Sequence, residues 1–292
     1  MLGRRMAVVG TVRELWRYPV KSMAGERLAA CEVDALGIKG DRGWAVRDEQ
    51  AHEIRGAKKI PALLRCAARY RSEPAGDGIP AVDITLPDGT RTASDDPDVA
   101  SRLSAVLGRR VTLWPRRPAD DLDHYRRGAP DNPDLEQELR QIFGRAPDEP
   151  LPDLSAIPPE LFEFAAPRGT YYDAFPFHLV STTSLVTLAA AAPDARWDVR
   201  RFRPNAVIEL TGDAAGLPEA GWAGRALRIG SVELRGEIPT ARCVMVTLPQ
   251  GDLPHDPRVL RTVVRAADQC LGLYASIAGT GRIAIGDAVE VL

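Results

Sequence analysis

Gly236–Leu253 reads GEIPTARCVMVTLPQGDL. Val244-Met245-Val246 is apolar and β-prone, Pro249–Gly251 is turn-forming, and Thr240-Ala241-Arg242 marks where a strand begins. Read as a strand, the run puts Ala241, Cys243, Met245 and Thr247 on one face. Arg242, Val244 and Val246 fall on the other. Cys243 then has two readings. It is a small core residue, as free cysteines commonly are, or its sulfur is a ligand or nucleophile at the mouth of a cleft. A neighbouring cation such as Arg242 favours the thiolate.

The flanking sequence repeats the same kind of run. Asn205–Leu210 (NAVIEL), Ala226–Ile238 (ALRIGSVELRGEI), Leu273–Gly279 (LYASIAG) and Asp287–Leu292 (DAVEVL) are short strand-like segments, as is Pro176–Ser181 (PFHLVS). Two helices interrupt them. Thr182 or Thr183 caps one that Pro193 ends, and Asp256 and Pro257 open another with Val259, Leu260, Val263, Val264 and Ala267 inward. Many short strands with few helices predict a mainly β (α+β) chain, with a barrel over 171–292. Residues 1–118 read as a second, mainly β unit. Val82–Ser94 is a hairpin turning at Asp88-Gly89, a helix follows Asp95-Asp96-Pro97, and Arg109–Pro115 is a closing strand. Residues 119–170 are rich in Pro, Asp and Arg. They read as an extended, mobile connector with one helix that Asn132 caps and Pro133 opens.

The 292 residues carry a net charge of −2, which argues against general nucleic-acid binding. Arg4 and Arg5 precede an apolar run too short for a signal peptide, and no run is long enough to cross a membrane. The four cysteines, Cys31, Cys66, Cys243 and Cys270, are dispersed. That leaves no zinc or iron–sulfur spacing and points to a reduced, cytoplasmic setting. His52, His124, His178 and His255 show no metal spacing and read as surface or hydrogen-bonded structural residues.

Three other stretches carry candidate chemistry. In Arg200–Leu210 (RRFRPNAVIEL), an extended backbone would point Arg201, Arg203 and Asn205 to one face. There they would bind an anion or a heterocycle edge, or they form a solvated edge. In Trp16–Glu26 (WRYPVKSMAGE), Lys21 and Ser22 suit a phosphate or are a polar turn. In Gly37–Trp44 (GIKGDRGW), Arg42 follows a glycine-rich turn that lets a ligand approach the backbone, or is a plain loop.

Taken in order, Tyr18–Ser22 (YPVKS), Asp41-Arg42 with Trp44, Phe202–Asn205 (FRPN) and Arg242-Cys243 resemble MOSC-domain proteins that carry an N-terminal MOSC β-barrel domain. The closing Leu273–Leu292 also looks like the end of a MOSC domain. The resemblance covers most of the chain outside 119–170 and implies that the unit over 1–118 is barrel-like. It includes the amidoxime-reducing proteins and implies a molybdenum cofactor, with Cys243 giving sulfur to the metal. Lys21, Ser22 and Arg42 would hold the pterin or its phosphate. Arg203 and Asn205, with Arg201, would contact the pterin, and Arg242 would tune the sulfur or steady a substrate. The implied activity is reduction of small N-hydroxylated compounds, with electrons from a separate redox protein and no iron–sulfur cluster in this chain. The alternatives are a cofactor or persulfide carrier without turnover, and a phosphate-binding module without metal. Ala241 departs from the Ser-Arg-Cys of the amidoxime-reducing relatives, and LPQGDLPHDP (Leu248–Pro257) replaces their short Asp-Pro turn.

Overall fold

A computed structural model describes residues 7–76 and 78–292; Arg4 and Arg5 lie outside them. The chain is mainly β, as expected. Seven strands close into a barrel in the order Ala7–Arg17, Ala206–Leu210, Phe177–Ser181, Cys270–Gly279, Val232–Ala241, Ala226–Ile229, Ala288–Val291, and back to Ala7–Arg17. The pairing of Phe177–Ser181 with Ala206–Leu210 is parallel. Val12, Leu15, Leu179, Ile208, Leu234 and Leu273 fill the interior.

The sheets do not divide at the expected boundary of 118. Ala7–Arg17 is a stave of the barrel, and Gly281–Ala284 pairs with Ala30–Asp34. An open sheet would expose two edges, and the long first strand removes both. Its register shifts between Val12 and Glu14 as it bends. Gly10 is needed at this seam, because a Cβ there would stand 2.3 Å from the Glu209 carbonyl oxygen.

The rest of the N-terminal half forms small sheets around a second core of Val20, Met23, Leu63, Ile84 and Leu103. One sheet joins Ala67–Tyr70, Val82–Thr85 and Arg91–Ala93, with the expected hairpin. The other joins Val111–Pro115, Trp44–Asp48 and Glu53–Ile54. Helix Val99–Leu107 lies where the sequence placed it.

The connector is more ordered than its composition suggests. It holds helices Leu122–Tyr125 and Leu135–Phe143 and a 3-10 turn at Pro159–Phe162. Tyr125 and Phe164 are buried with Tyr171 against Ala45 and Ile54. Asp134, not Asn132, caps the longer helix by accepting from the Gln137 amide. Asn132 instead accepts from Asp134 in the preceding turn, a local bond that competes with helix. Ser181, rather than Thr182 or Thr183, caps Thr182–Ala191. Asp256 caps Pro257–Ala266 as predicted, and Val259, Leu260 and Val263 are buried, each worth about 1.5–3 kcal/mol.

The stretch around Cys243 corrects the strand expectation. The strand ends at Ala241, paired with Cys270, and Val244–Thr247 is a 3-10 turn. Its apolar residues serve two cores at once. Val246 joins Leu260 and Val263, whereas Met245 and Leu248 pack against the N-terminal core. Tertiary packing overrides β propensity here. The result sets Cys243, in extended backbone, at the junction of the two halves.

Candidate functional site

Three of the sequence candidates share an uncommon backbone. Ser22, Arg42 and Arg203 have φ of 67°, 50° and 54°, the left-handed region. Each costs roughly 1–2 kcal/mol for a residue with a Cβ. Such strain collects where surrounding structure holds a functional geometry. For Arg42 and Arg203 the turn delivers the side chain toward Tyr18. The Arg203 guanidinium lies 4.1 Å from the Tyr18 ring centroid and that of Arg42 lies 5.2 Å from it. Tyr18 is fixed through its hydroxyl on the Pro204 carbonyl (3.0 Å) and its amide on Asp41 Oδ1 (2.8 Å).

Arg203 donates from Nη1 to the Met23 carbonyl at 2.6 Å. Its Nη2 is buried and has no hydrogen-bond partner among the described residues. Burial lowers its pKa to about 10, with Arg42 acting the same way and Tyr18 and Asp41 opposing. Arg42 donates to Asp41 and keeps 12% of its side chain exposed. Burial pulls it down, but Asp41 and Asp173 leave it above its ordinary value.

Lys21 spends its three donors on the carbonyls of Tyr171 (2.8 Å) and Tyr172 (3.2 Å) and on Asp173 Oδ1 (3.0 Å). Ser22 Oγ accepts from the Ala57 amide at 2.9 Å. These two brace the site's walls: Lys21 holds Asp173, and Ser22 holds the loop that carries Lys58. Lys58 reaches Asp173 at 3.9 Å and lies near enough to Cys243 and Tyr274 for both to raise its pKa behind Asp173. Burial is the largest single influence on Asp173 and pushes its pKa up, but Lys21, Lys58 and Arg42 together outweigh it and hold the carboxyl well below the carboxylate range.

Asp173, Lys58, Tyr18 and Tyr274 escaped the sequence reading. Asp173, in YYDAFPF just before a strand, offers an acidic signal. Lys58, in a basic pair, reads as surface.

Three candidates are turned inward. Arg201 is spent on main-chain carbonyls: Nε to Arg196, Nη1 to Val246 and Leu248, Nη2 to Pro254. It clamps the turn after Cys243. Asn205 bridges Asp41 and the Trp16 carbonyl and accepts from the His178 amide. The expected alternation of Arg201, Arg203 and Asn205 fails because Val199–Arg201 is a 3-10 turn and Arg203 is left-handed. Arg242 donates to the carbonyls of Leu271 (2.9 Å) and Phe202 (3.1 Å) and to His178 Nε2 (2.6 Å). His178 Nδ1 lies 3.4 Å from the Arg203 carbonyl. A neutral imidazole protonated on Nδ1 satisfies both contacts. Burial and then Arg242 hold His178 well below its ordinary pKa. Arg242 and His178 thus tie Cys243 to Arg203 from behind.

Gly272 makes that tie possible. Its φ is 81°, and a Cβ there would stand 2.5 Å from His178 Nε2 and 2.6 Å from the Leu179 carbonyl oxygen. Gly272→Ala is expected to lower stability by about 3 kcal/mol or more, read as a fall in the melting midpoint. Asp173→Asn gives a pH signature. The lowered Asp173 pKa contributes stability that is present above about pH 3.8 and lost as pH falls through the folded value. In acid titration followed by circular dichroism, the variant should lose stability less steeply than the wild type below pH 4.

Lys21, Arg42, Lys58 and Arg203 are offset by Asp41 and Asp173, leaving an excess of two positive charges. That excess, with the unpartnered Nη2 of Arg203 and the half-buried Cys243, fits an anionic ligand with a metal that accepts sulfur. No helix among the described residues is long and apolar enough to cross a membrane.

The family model of the MOSC domain matches residues 166–290, and that of the MOSC N-terminal beta barrel domain matches residues 9–108. The chain is 27% identical to mitochondrial amidoxime reducing component 2 of Bos taurus, over 98% of this chain and 84% of that protein. It is 25% identical to mitochondrial amidoxime-reducing component 1 of Mus musculus, over 99% and 84%. The crystal structure of the YUAD protein of Bacillus subtilis aligns over 98% of both chains at 12% identity, with a TM-score of 0.43. The matched domains, in this order and over this much of its length, make the chain a member of the MOSC-domain proteins with an N-terminal MOSC beta barrel domain.

Proposed function

We propose that the chain is a cytoplasmic reductase of small N-hydroxylated compounds that uses a molybdenum cofactor and takes electrons from a separate redox protein. The observation that carries this is the buried Arg203 Nη2, without a hydrogen-bond partner among the described residues, in a cluster with excess positive charge that is joined to Cys243. A buried donor left unmade costs about 1–3 kcal/mol, which a bound anion returns. When bound, the cofactor supplies the two-electron chemistry that converts R–NH–OH, two electrons and two protons to R–NH2 and water.

The chain's own residues divide the remaining work. Cys243 would give its sulfur to the metal. Arg203 and Arg42 would hold the anionic part of the cofactor, and Lys58 would add positive charge near Cys243. Lys21 and Ser22 fix the loops from which these cations project. Arg242, Arg201 and Asn205 act by positioning and touch neither cofactor nor substrate. Substrate approaches on the side of Cys243 and Tyr274, where the phenol stays protonated because burial and Asp173 push its pKa up to about 12. It can therefore donate a hydrogen bond to the N–O oxygen throughout the physiological range.

The test is reduction of benzamidoxime by cofactor-loaded protein with reduced methyl viologen as donor. Molybdenum-dependent turnover is expected. Absence of turnover in loaded protein, with a persulfide mass on Cys243, would replace this reading with the carrier.

A further inference from the structure

We propose that Arg145, brought in by the connector, is the positioning residue that fixes the direction of the Cys243 sulfur. The inference rests on the reading of Cys243 as the metal ligand. The connector joins the two halves in sequence, and nothing in its composition suggests a part in the site.

Arg145 is nonetheless buried. It donates from Nη2 to the Arg242 carbonyl oxygen at 3.0 Å, which belongs to the peptide joining Arg242 to Cys243. It donates from Nε to Gln269 Oε1 at 2.8 Å and from Nη1 to the Phe143 carbonyl. Gln269 returns to the same residue from the opposite side, its carbonyl accepting from the Arg242 amide at 2.9 Å. Both main-chain polar groups of Arg242 are therefore held, and its side chain is held as well. The torsions left free near the sulfur are those of Cys243 itself.

The anchor of Arg145 is built from both halves. Arg261 binds Glu149 and the Gly144 carbonyl. At Gly144 a Cβ would stand 2.8 Å from Leu260 Cδ2 and 3.4 Å from Val244 Cβ, so helix Leu135–Phe143 ends against the Cys243 turn. On the other side Asp131 binds Arg55 and Lys59, and Glu138 binds Lys59. These contacts are to the loop that carries Lys58. The connector from 131 to 149 thus straps the Lys58 loop to the Cys243 turn, and Arg145 is the tooth that engages the peptide. Gln269 adopts a left-handed φ of 66° to meet it, a local cost that the hydrogen bonds offset. Arg145 is also close enough to Cys243 and Cys270 for either sulfur to raise its pKa against burial.

The test uses amide hydrogen exchange on the full chain without cofactor, comparing wild type, Arg145→Met and Arg145→Lys. Exchange across 243–248 is expected to rise about tenfold in Arg145→Met, with helix 257–266 unchanged. In Arg145→Lys it should rise less, because an ammonium keeps the charge but lacks the fork that spans three acceptors. In loaded protein the molybdenum(V) paramagnetic spectrum should broaden in the same order. Unchanged exchange in 243–248 would overturn the proposal, and so would a rise spread evenly over the chain. If Arg145→Met does not fold, Arg145→Lys alone decides. Since this exchange is read without cofactor, it stands or falls separately from Cys243 as a ligand, which metal content reports.

Discussion

Cys243→Ala is expected to fold as the wild type does and to lose at least about 100-fold in N-hydroxyl reduction. Removing a single hydrogen-bond partner of a metal ligand commonly costs about 10–100-fold, and loss of the ligand sulfur should cost no less. The fold should tolerate the change. Cys243 is only partly buried, it belongs to none of the core clusters, and its backbone is ordinary extended chain. Removal of one partly buried sulfur from such a position usually changes stability by less than about 1 kcal/mol. The check is turnover with benzamidoxime beside a thermal melt of the same preparation. Loss of both activity and fold would make Cys243 a structural residue instead.

Arg242→Met should do the reverse, with a large effect on the fold of the cofactor-free chain. Arg242 is buried without a carboxylate partner among the described residues and is stabilised by two carbonyls, His178 Nε2 and the Phe202 ring at 5.4 Å. Methionine keeps much of the volume but leaves these acceptors unmade, at about 1–3 kcal/mol each. Relief from burying an unpaired charge offsets part of that. The net expectation is a loss of about 2–4 kcal/mol, or roughly 5–15 °C in the melting midpoint.

His178 adds a pH signature. Its folded pKa lies well below 6.5, so the unfolded chain binds a proton first as pH falls. The stability this provides is present above about pH 6.5 and lost progressively below it. Melts at pH 7.5 and 5.5 should therefore differ in the wild type. His178→Gln, which offers a neutral acceptor, should narrow the difference.

The sequence carried the β character, the helix at Asp256-Pro257 and the basic candidates Arg42 and Arg203, because each rests on a local rule: alternation, capping chemistry or a short ordered motif. What it hid was long-range. Cys243 is followed by a β-prone triplet, yet the triplet turns because its side chains feed two different cores. Arg201 and Arg203 share a motif, but a single left-handed residue sends one guanidinium to main-chain carbonyls and the other to the site. Lys58 and Asp173 come together only because the loop at Ser22 and the strand after the connector meet. Arg145 sits in a Pro- and Asp-rich segment whose composition suggests mobility, and its buried contacts arise only on folding.

Metal analysis of wild type and Cys243→Ala, both purified from a host able to make molybdenum cofactor, tests the central claim most directly. The account predicts about one molybdenum and one pterin per wild-type chain, with molybdenum lost from a Cys243→Ala protein whose melting midpoint is unchanged. Equal molybdenum in both proteins, or none in a folded wild type, would contradict it.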